Sequence, residues 1–135
     1  DPRGAVRVMA LDYGAARTGV ALSDATGTIA SPLGVVERAA GEAGLARLAE
    51  IVRENGVELV VVGLPLTLRG ERGEQARETE RFVEALRGAV GVEVVTFDER
   101  FTTSLAAQTP SPAPEDARAA AHLLSGYLAR REAVS

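Results

Sequence analysis

Four carboxylates of this chain stand next to segments whose apolar pattern predicts regular structure. Asp12 follows an apolar run in the stretch VMALDYGAARTGVALSD, residues 8–24. Asp98 and Glu99 follow a later apolar run, and Asp116 opens a helical pattern. A carboxylate at the end of a buried strand loses hydration, so it needs a partner, a proton or a metal ion. If parallel strands bring these acids to one sheet edge, two divalent cations between them can activate a water and stabilise the leaving oxygen of a phosphodiester.

The same acids also have purely structural explanations, which the spacing alone leaves open. An Asp at the end of a strand caps a turn by accepting hydrogen bonds from backbone N–H groups. Asp116 in the first turn of a helix complements the helix dipole, and Glu99 with Arg100 forms an ordinary surface ion pair. Alternation along a strand puts Asp98 and Glu99 on opposite faces, so only one of the two is expected to face a common site.

Composition limits the kind of site that the chain can build. Its 135 residues suffice for one domain, 1–135. It has no cysteine and a single histidine, His122, so any metal is held by oxygen, which favours Mg²⁺ or Mn²⁺. A net charge of −4 argues against a strongly basic nucleic-acid binder, although a local basic patch stays open. With no long apolar run and no signal segment, we expect a cytoplasmic protein.

Hydrophobic periodicity predicts an α/β fold built on a mixed sheet. Three short strands with tight turns indicate an antiparallel meander, and the later strand–helix–strand succession indicates a parallel pair with a right-handed crossover. The predicted strands are Val6–Leu11, Thr18–Ser23, Ile29–Val36, Leu59–Val62 and Val92–Phe97, and the predicted helices are Gly44–Asn55, Glu74–Leu86 and Glu115–Arg130. Gly63-Leu64-Pro65 is predicted to break the fourth strand, and 108–114 is a Pro-rich loop.

Four stretches in order along the chain resemble the YqgF/RuvX family, the Holliday-junction-resolvase-like branch of the RNase H-like nucleases. They are ALDYGAARTGVALSD (10–24), VVGLPLTLRGERGEQARETERFVEAL (61–86), FDERFTTSLAA (97–107) and DARAAAHLLSGYL (116–128). The resemblance implies an RNase H-like fold in which the meander precedes a β–α–β–α unit. It also implies that Asp12, Glu99 and Asp116 are catalytic acids that bind Mg²⁺ or Mn²⁺, with Asp98 as the alternative second acid.

Several residues near these motifs are candidate contacts for substrate phosphates, although each also has an ordinary structural explanation. They are Arg17, Arg69, Arg72, Arg100, Thr102 and Thr103. An arginine on a protein surface is often simply solvated, and either threonine can cap a short helix. One departure from the family bears on substrate affinity. The interval before Asp116 is short and Pro-rich and lacks the basic residues that would bind phosphates regardless of sequence.

The expected activity is metal-dependent endonucleolytic hydrolysis of structured nucleic acid. Branched DNA and precursor small-subunit ribosomal RNA remain open as substrates. A resolvase that cuts two strands symmetrically would be a homodimer, whereas an enzyme that trims RNA can be a monomer. Two other classes are weighed against this one. A non-catalytic nucleic-acid-binding protein agrees with the negative charge, and an actin/hexokinase-like nucleotide-binding protein is disfavoured because 135 residues lack its second half.

Overall fold

The computed structural model describes residues 6–101 and 113–134, so Thr102, Thr103 and most of the predicted 108–114 loop lie outside the described residues. Eight main elements follow one another along the chain. They are β1 (Val8–Asp12), β2 (Arg17–Ser23), β3 (Ala30–Glu37), α1 (Glu42–Glu54), β4 (Leu59–Leu64), α2 (Glu74–Val90), β5 (Glu93–Asp98) and α3 (Glu115–Val134). A single 3₁₀ turn, Glu99–Phe101, follows β5 directly.

The five strands form one mixed sheet in the order β3-β2-β1-β4-β5. β1 pairs antiparallel with β2, and β2 pairs antiparallel with β3, which is the predicted meander. β4 pairs parallel with β1 and with β5, so the crossovers through α1 and α2 have the predicted parallel arrangement. The mixed α/β sheet flanked by helices is therefore confirmed.

Helices cover both faces of this sheet, which explains why its central strands are apolar without interruption. On one face Met9 and Leu11 of β1 pack in a core with Phe82 and Leu86 of α2. On the other face Val8 and Ala10 of β1 pack against a stripe of α3. The α3 stripe consists of Ala120, Ala121, Leu123, Leu124 and Leu128. Alternate residues of each strand thus face either α1 and α2 or α3, and this parity decides where the acids point.

Several predicted element ends differ from the structure by one to four residues, and two of these errors have a clear physical reason. β4 does not break at Gly63, because Gly63 and Leu64 continue the parallel pairing with β5, opposite Phe97 and Asp98. α2 continues to Val90, four residues beyond the predicted end, and Gly91 ends it in the left-handed conformation at φ 69°. The strand break was predicted from residue type alone, whereas long-range pairing sets its position.

Within the two described ranges, no helix has the combination of length and apolarity needed to cross a membrane.

Candidate active site

The candidate acids Asp12 and Glu99 lie on the face of the sheet that α3 covers. In β1, Val8 and Ala10 belong to the α3-side core, and Asp12 continues that parity. In β5, Val95 and Phe97 pack on the same side. Glu99 follows Phe97 by two residues and therefore lies on that side too. Since β1 and β5 run parallel through β4, both acids emerge at the same edge of the sheet.

A hydrogen bond joins the side chains of Asp12 and Glu99. Burial, followed by the charge of Asp12 and this hydrogen bond, raises the pKa of Glu99 to about 7. Burial also raises the pKa of Asp12, while the hydrogen bond from Glu99 lowers it and the charge of Asp116 raises it. In such a contact one carboxyl must be protonated to donate, and the other accepts. The two carboxyls therefore share one proton in weakly acidic solution.

Gly63 provides the space across which Glu99 reaches Asp12. β4 lies between β1 and β5, and Gly63 is its α3-side residue at the level of the acids. A Cβ atom at Gly63 would lie 2.9 Å from both Cγ and Oε1 of Glu99 and 3.0 Å from Cδ2 of Leu123. Only a residue without a side chain fits here unless Glu99 shifts. The sequence pattern predicted a strand break at Gly63, whereas its structural role is to leave this gap.

Asp116 approaches the same edge from the first turn of α3. A Cβ atom at Gly19 would lie 1.8 Å from the carbonyl oxygen of Asp116, so β2 and α3 touch backbone to backbone. Gly19 is the β2 partner of Asp12, and this contact fixes Asp116 beside the acid pair. The Asp116 carboxylate, however, forms an ion pair with Arg17, with 3.1 Å between Nε and Oδ2.

Asp98, the alternative second acid, has a different partner. Its carboxylate accepts hydrogen bonds from Nε of Arg100, at 2.9 Å and 3.1 Å, and from Nη2 of the same arginine at 2.6 Å. Arg100 thereby lowers the pKa of Asp98 below its ordinary value. The alternation of residues along β5 and the pairing of Asp98 with Arg100 both indicate that Glu99, and not Asp98, contacts Asp12.

The donor set formed by Asp12 and Glu99 suits a hard divalent cation. Two carboxyls are close enough that one retains a proton, and a cation can replace that proton while offering both groups an opposite charge. Among the residues that the structure describes, no three His, Cys, Asp or Glu side chains are arranged to hold a metal ion. Asp116, the third candidate acid, is instead paired with Arg17.

The four predicted phosphate contacts that the structure describes fall into two groups. Arg17 and Arg100 lie beside the acids, each paired with an aspartate. Arg69 and Arg72 lie in the loop after β4, and Nε of Arg72 is 3.2 Å from Oε2 of Glu80. This loop lines an open cavity of about 440 Å³ whose walls are Thr67, Leu68, Arg69, Glu71, Arg72 and Gly73. A Cβ atom at Gly70 would lie 3.3 Å from Nη1 of Arg100, so the loop adjoins the acid edge.

The family model described as "RuvX: Holliday junction resolvase" matches residues 6–130. The chain belongs to the RuvX family. A RuvX relative from Moorella thermoacetica is 41% identical over 134 residues, which cover 93% of this chain and 96% of that protein. A relative from Chloroflexus aurantiacus is 48% identical over 101 residues, which cover 75% of this chain and 66% of that protein. Both carry the name "Putative pre-16S rRNA nuclease".

A solved structure matches the fold of this RuvX chain over nearly its whole length. The structure "T. thermophilus RuvC in complex with Holliday junction substrate" matches with a TM-score of 0.70 and covers 96% of this chain and 98% of its own. The sequences are only 18% identical, so the match establishes the fold alone. The predicted RNase H-like fold is thereby confirmed. The family model and the named relatives confirm the predicted membership of a nuclease family.

The shared proton predicts that stability depends on pH through Glu99. The unfolded chain ionises this group near its ordinary pKa of 4.5, and the folded protein near 7. Between these values the folded state binds more protons, so the free energy of unfolding falls as pH rises and the contribution is lost above 7. After allowance for partial solvent exposure we expect a loss of roughly 1–2 kcal/mol.

Urea unfolding from about pH 5 to about pH 8 measures this loss. Glu99→Gln is the control, since a neutral amide has no proton to lose in this range. A wild-type curve as flat as that of Glu99→Gln would contradict the shared proton.

Proposed function

We propose that the chain is a divalent-metal-dependent endonuclease that hydrolyses phosphodiester bonds in structured nucleic acid. The observation that carries this proposal is the Asp12–Glu99 pair, which lies at the sheet edge beside Asp116 on the face covered by α3. Membership of the RuvX family supports the same activity. We also propose that the protein works in the cytoplasm, where bacterial DNA and precursor ribosomal RNA are found.

In this proposal Asp12, Glu99 and Asp116 hold Mg²⁺ or Mn²⁺ through their carboxylate oxygens. When bound, such ions lower the pKa of a coordinated water and stabilise charge on the leaving oxygen. The chain's own residues position the reactants. Glu99 would release its proton to solvent when it binds the ion, and its second carboxylate oxygen would orient the attacking water. Arg17 and Arg100, which lie beside these acids, would contact backbone phosphates of the substrate.

Two substrates fit this chemistry, because the family model names a resolvase and the relatives are named for ribosomal RNA. The test incubates the protein with a labelled four-way DNA junction and with a precursor 16S rRNA fragment, under Mg²⁺ and separately under Mn²⁺. Faster cleavage of the junction, together with a dimer in sedimentation, assigns a resolvase. Faster cleavage of the RNA assigns ribosomal RNA processing. Absence of cleavage with either substrate and either metal would contradict the nuclease proposal.

A non-catalytic nucleic-acid-binding role is the second candidate. The observation in its favour is that the described residues hold no assembled three-carboxylate group. This role would be assigned if the protein bound the junction or the RNA fragment and never cleaved either under Mn²⁺.

A further inference from the structure

Arg17 and Asp116 form an ion pair in which both partners belong to the proposed nuclease machinery. Arg17 is the first residue of β2, and Asp116 lies in the first turn of α3. Their side chains are 57% and 39% exposed. The Gly19 contact fixes the backbone of Asp116, so the long side chain of Arg17 is the part that is free to move. The carboxylate of Asp116, a candidate metal ligand, is thus already paired with the guanidinium of Arg17.

A second ion pair of nearly identical geometry provides a reference within the chain. Arg72 approaches Glu80 through Nε at 3.2 Å, and these side chains are 67% and 37% exposed. Glu80 lies on α2, which packs against the opposite face of the sheet from α3. Exposed pairs of this kind favour the paired state by only roughly two- to five-fold, so a stronger competitor displaces either arginine easily.

We propose that Arg17 and a divalent cation compete for the carboxylate of Asp116, and that binding of the cation releases the Arg17 guanidinium for a phosphate of the nucleic acid. The inference rests on the proposed function. A doubly charged ion beside Asp12 and Glu99 repels the guanidinium and attracts the carboxylate, so both interactions favour the exchange. The released guanidinium has the planar donor fork that matches a phosphate.

The exchange links the two binding events. Binding of the metal frees the guanidinium of Arg17 to contact a phosphate. Binding of a phosphate to Arg17, in turn, frees the carboxylate of Asp116 to bind the metal. Linkage then requires each ligand to raise the affinity of the other by the same factor. In the absence of both ligands, Arg17 offsets part of the negative charge of Asp116, which still acts on the carboxyl of Asp12.

The first test uses NMR on the wild-type protein without nucleic acid. Mg²⁺ is titrated while the arginine Nε–Hε signals and the carboxyl carbons of Asp12 and Glu99 are followed. We expect the Arg17 signal to move with the same saturation curve as these two carboxyls, while the signal of Arg72 stays in place. Carboxyl shifts without an Arg17 shift would overturn the exchange, and so would equal shifts of Arg17 and Arg72, which would indicate a general charge effect. A titration that moves none of these signals would overturn metal binding, and with it both proposals.

The second test measures Mn²⁺ affinity by calorimetry for the wild type, Arg17→Gln and Arg72→Gln. Removing the competitor should tighten Mn²⁺ binding roughly two- to five-fold in Arg17→Gln, whereas Arg72→Gln should match the wild type. Thermal unfolding of both variants checks that the fold is retained. Equal Mn²⁺ affinity in all three proteins would overturn the competition while leaving the nuclease proposal intact.

Discussion

Asp12→Asn is expected to lower the rate of metal-dependent cleavage by at least about 10³-fold, because an amide cannot supply the charge that holds the cation. The amide keeps the size of the carboxyl, and its NH₂ group can donate a hydrogen bond to the carboxylate of Glu99. The fold should therefore remain, and the pKa of Glu99 should fall toward its ordinary value once the neighbouring charge is gone. Single-turnover cleavage of whichever substrate the wild type cuts measures the effect.

Asp98→Asn is the matched control for this loss. Asp98 stands one residue before Glu99 but binds Arg100 and lies on the other face of β5. We expect its rate to stay within about tenfold of the wild type, since only an exposed ion pair is lost. A rate that collapses in Asp98→Asn and survives in Asp12→Asn would assign the metal to a different set of acids.

Gly19→Ala is expected to have the largest effect on stability. The added methyl group would lie 1.8 Å from the carbonyl oxygen of Asp116 and 2.3 Å from its carbonyl carbon. Both are backbone atoms near the start of a helix, so no side-chain rotation relieves the overlap. We expect a loss of about 3 kcal/mol, the upper end for overpacking, and a melting temperature lower by roughly 10 °C. Cleavage should also fall, since Asp116 moves away from Asp12.

Gly34→Ala provides the comparison for Gly19→Ala. Gly34 lies in β3, the neighbouring strand, and an added Cβ there meets nothing within 4 Å. Its melting temperature should match or slightly exceed that of the wild type, because alanine restricts the unfolded chain. Thermal unfolding of the wild type, Gly19→Ala and Gly34→Ala measures these melting temperatures. Equal stability of Gly19→Ala and the wild type would contradict the close contact of β2 with α3.

Local pattern predicted the elements of this fold well, because its helices and strands are strongly periodic. The face of α2 that carries Thr79, Phe82, Val83 and Leu86 is buried as expected. Errors arose where pairing partners distant in sequence set the outcome. Glycine followed by Leu64 and Pro65 is typical of a turn, yet β5 holds Gly63 and Leu64 in the sheet and the strand ends only before the proline.

The sequence indicated which candidate acids come together, but not which side chains they pair with. Strand alternation indicated that only one of Asp98 and Glu99 could face Asp12, and the structure pairs Glu99 with Asp12. The ion pair of Arg17 with Asp116 joins residues that no local pattern connects. It depends on α3 crossing the end of β2, which depends in turn on Gly19 lacking a side chain. Such contacts follow from tertiary packing, and a single sequence does not specify them.

The acids of this site come from segments separated by more than one hundred residues of chain, and α3 follows every strand in the sequence. During synthesis, the meander and Asp12 leave the ribosome well before Glu99 and Asp116 have been made. Under the proposed function, a growing or clipped chain lacks a complete set of acids and would not cut nucleic acid. The dispersed origin of the proposed site would then act as a safeguard, because hydrolytic capacity would arise only when the whole domain has assembled.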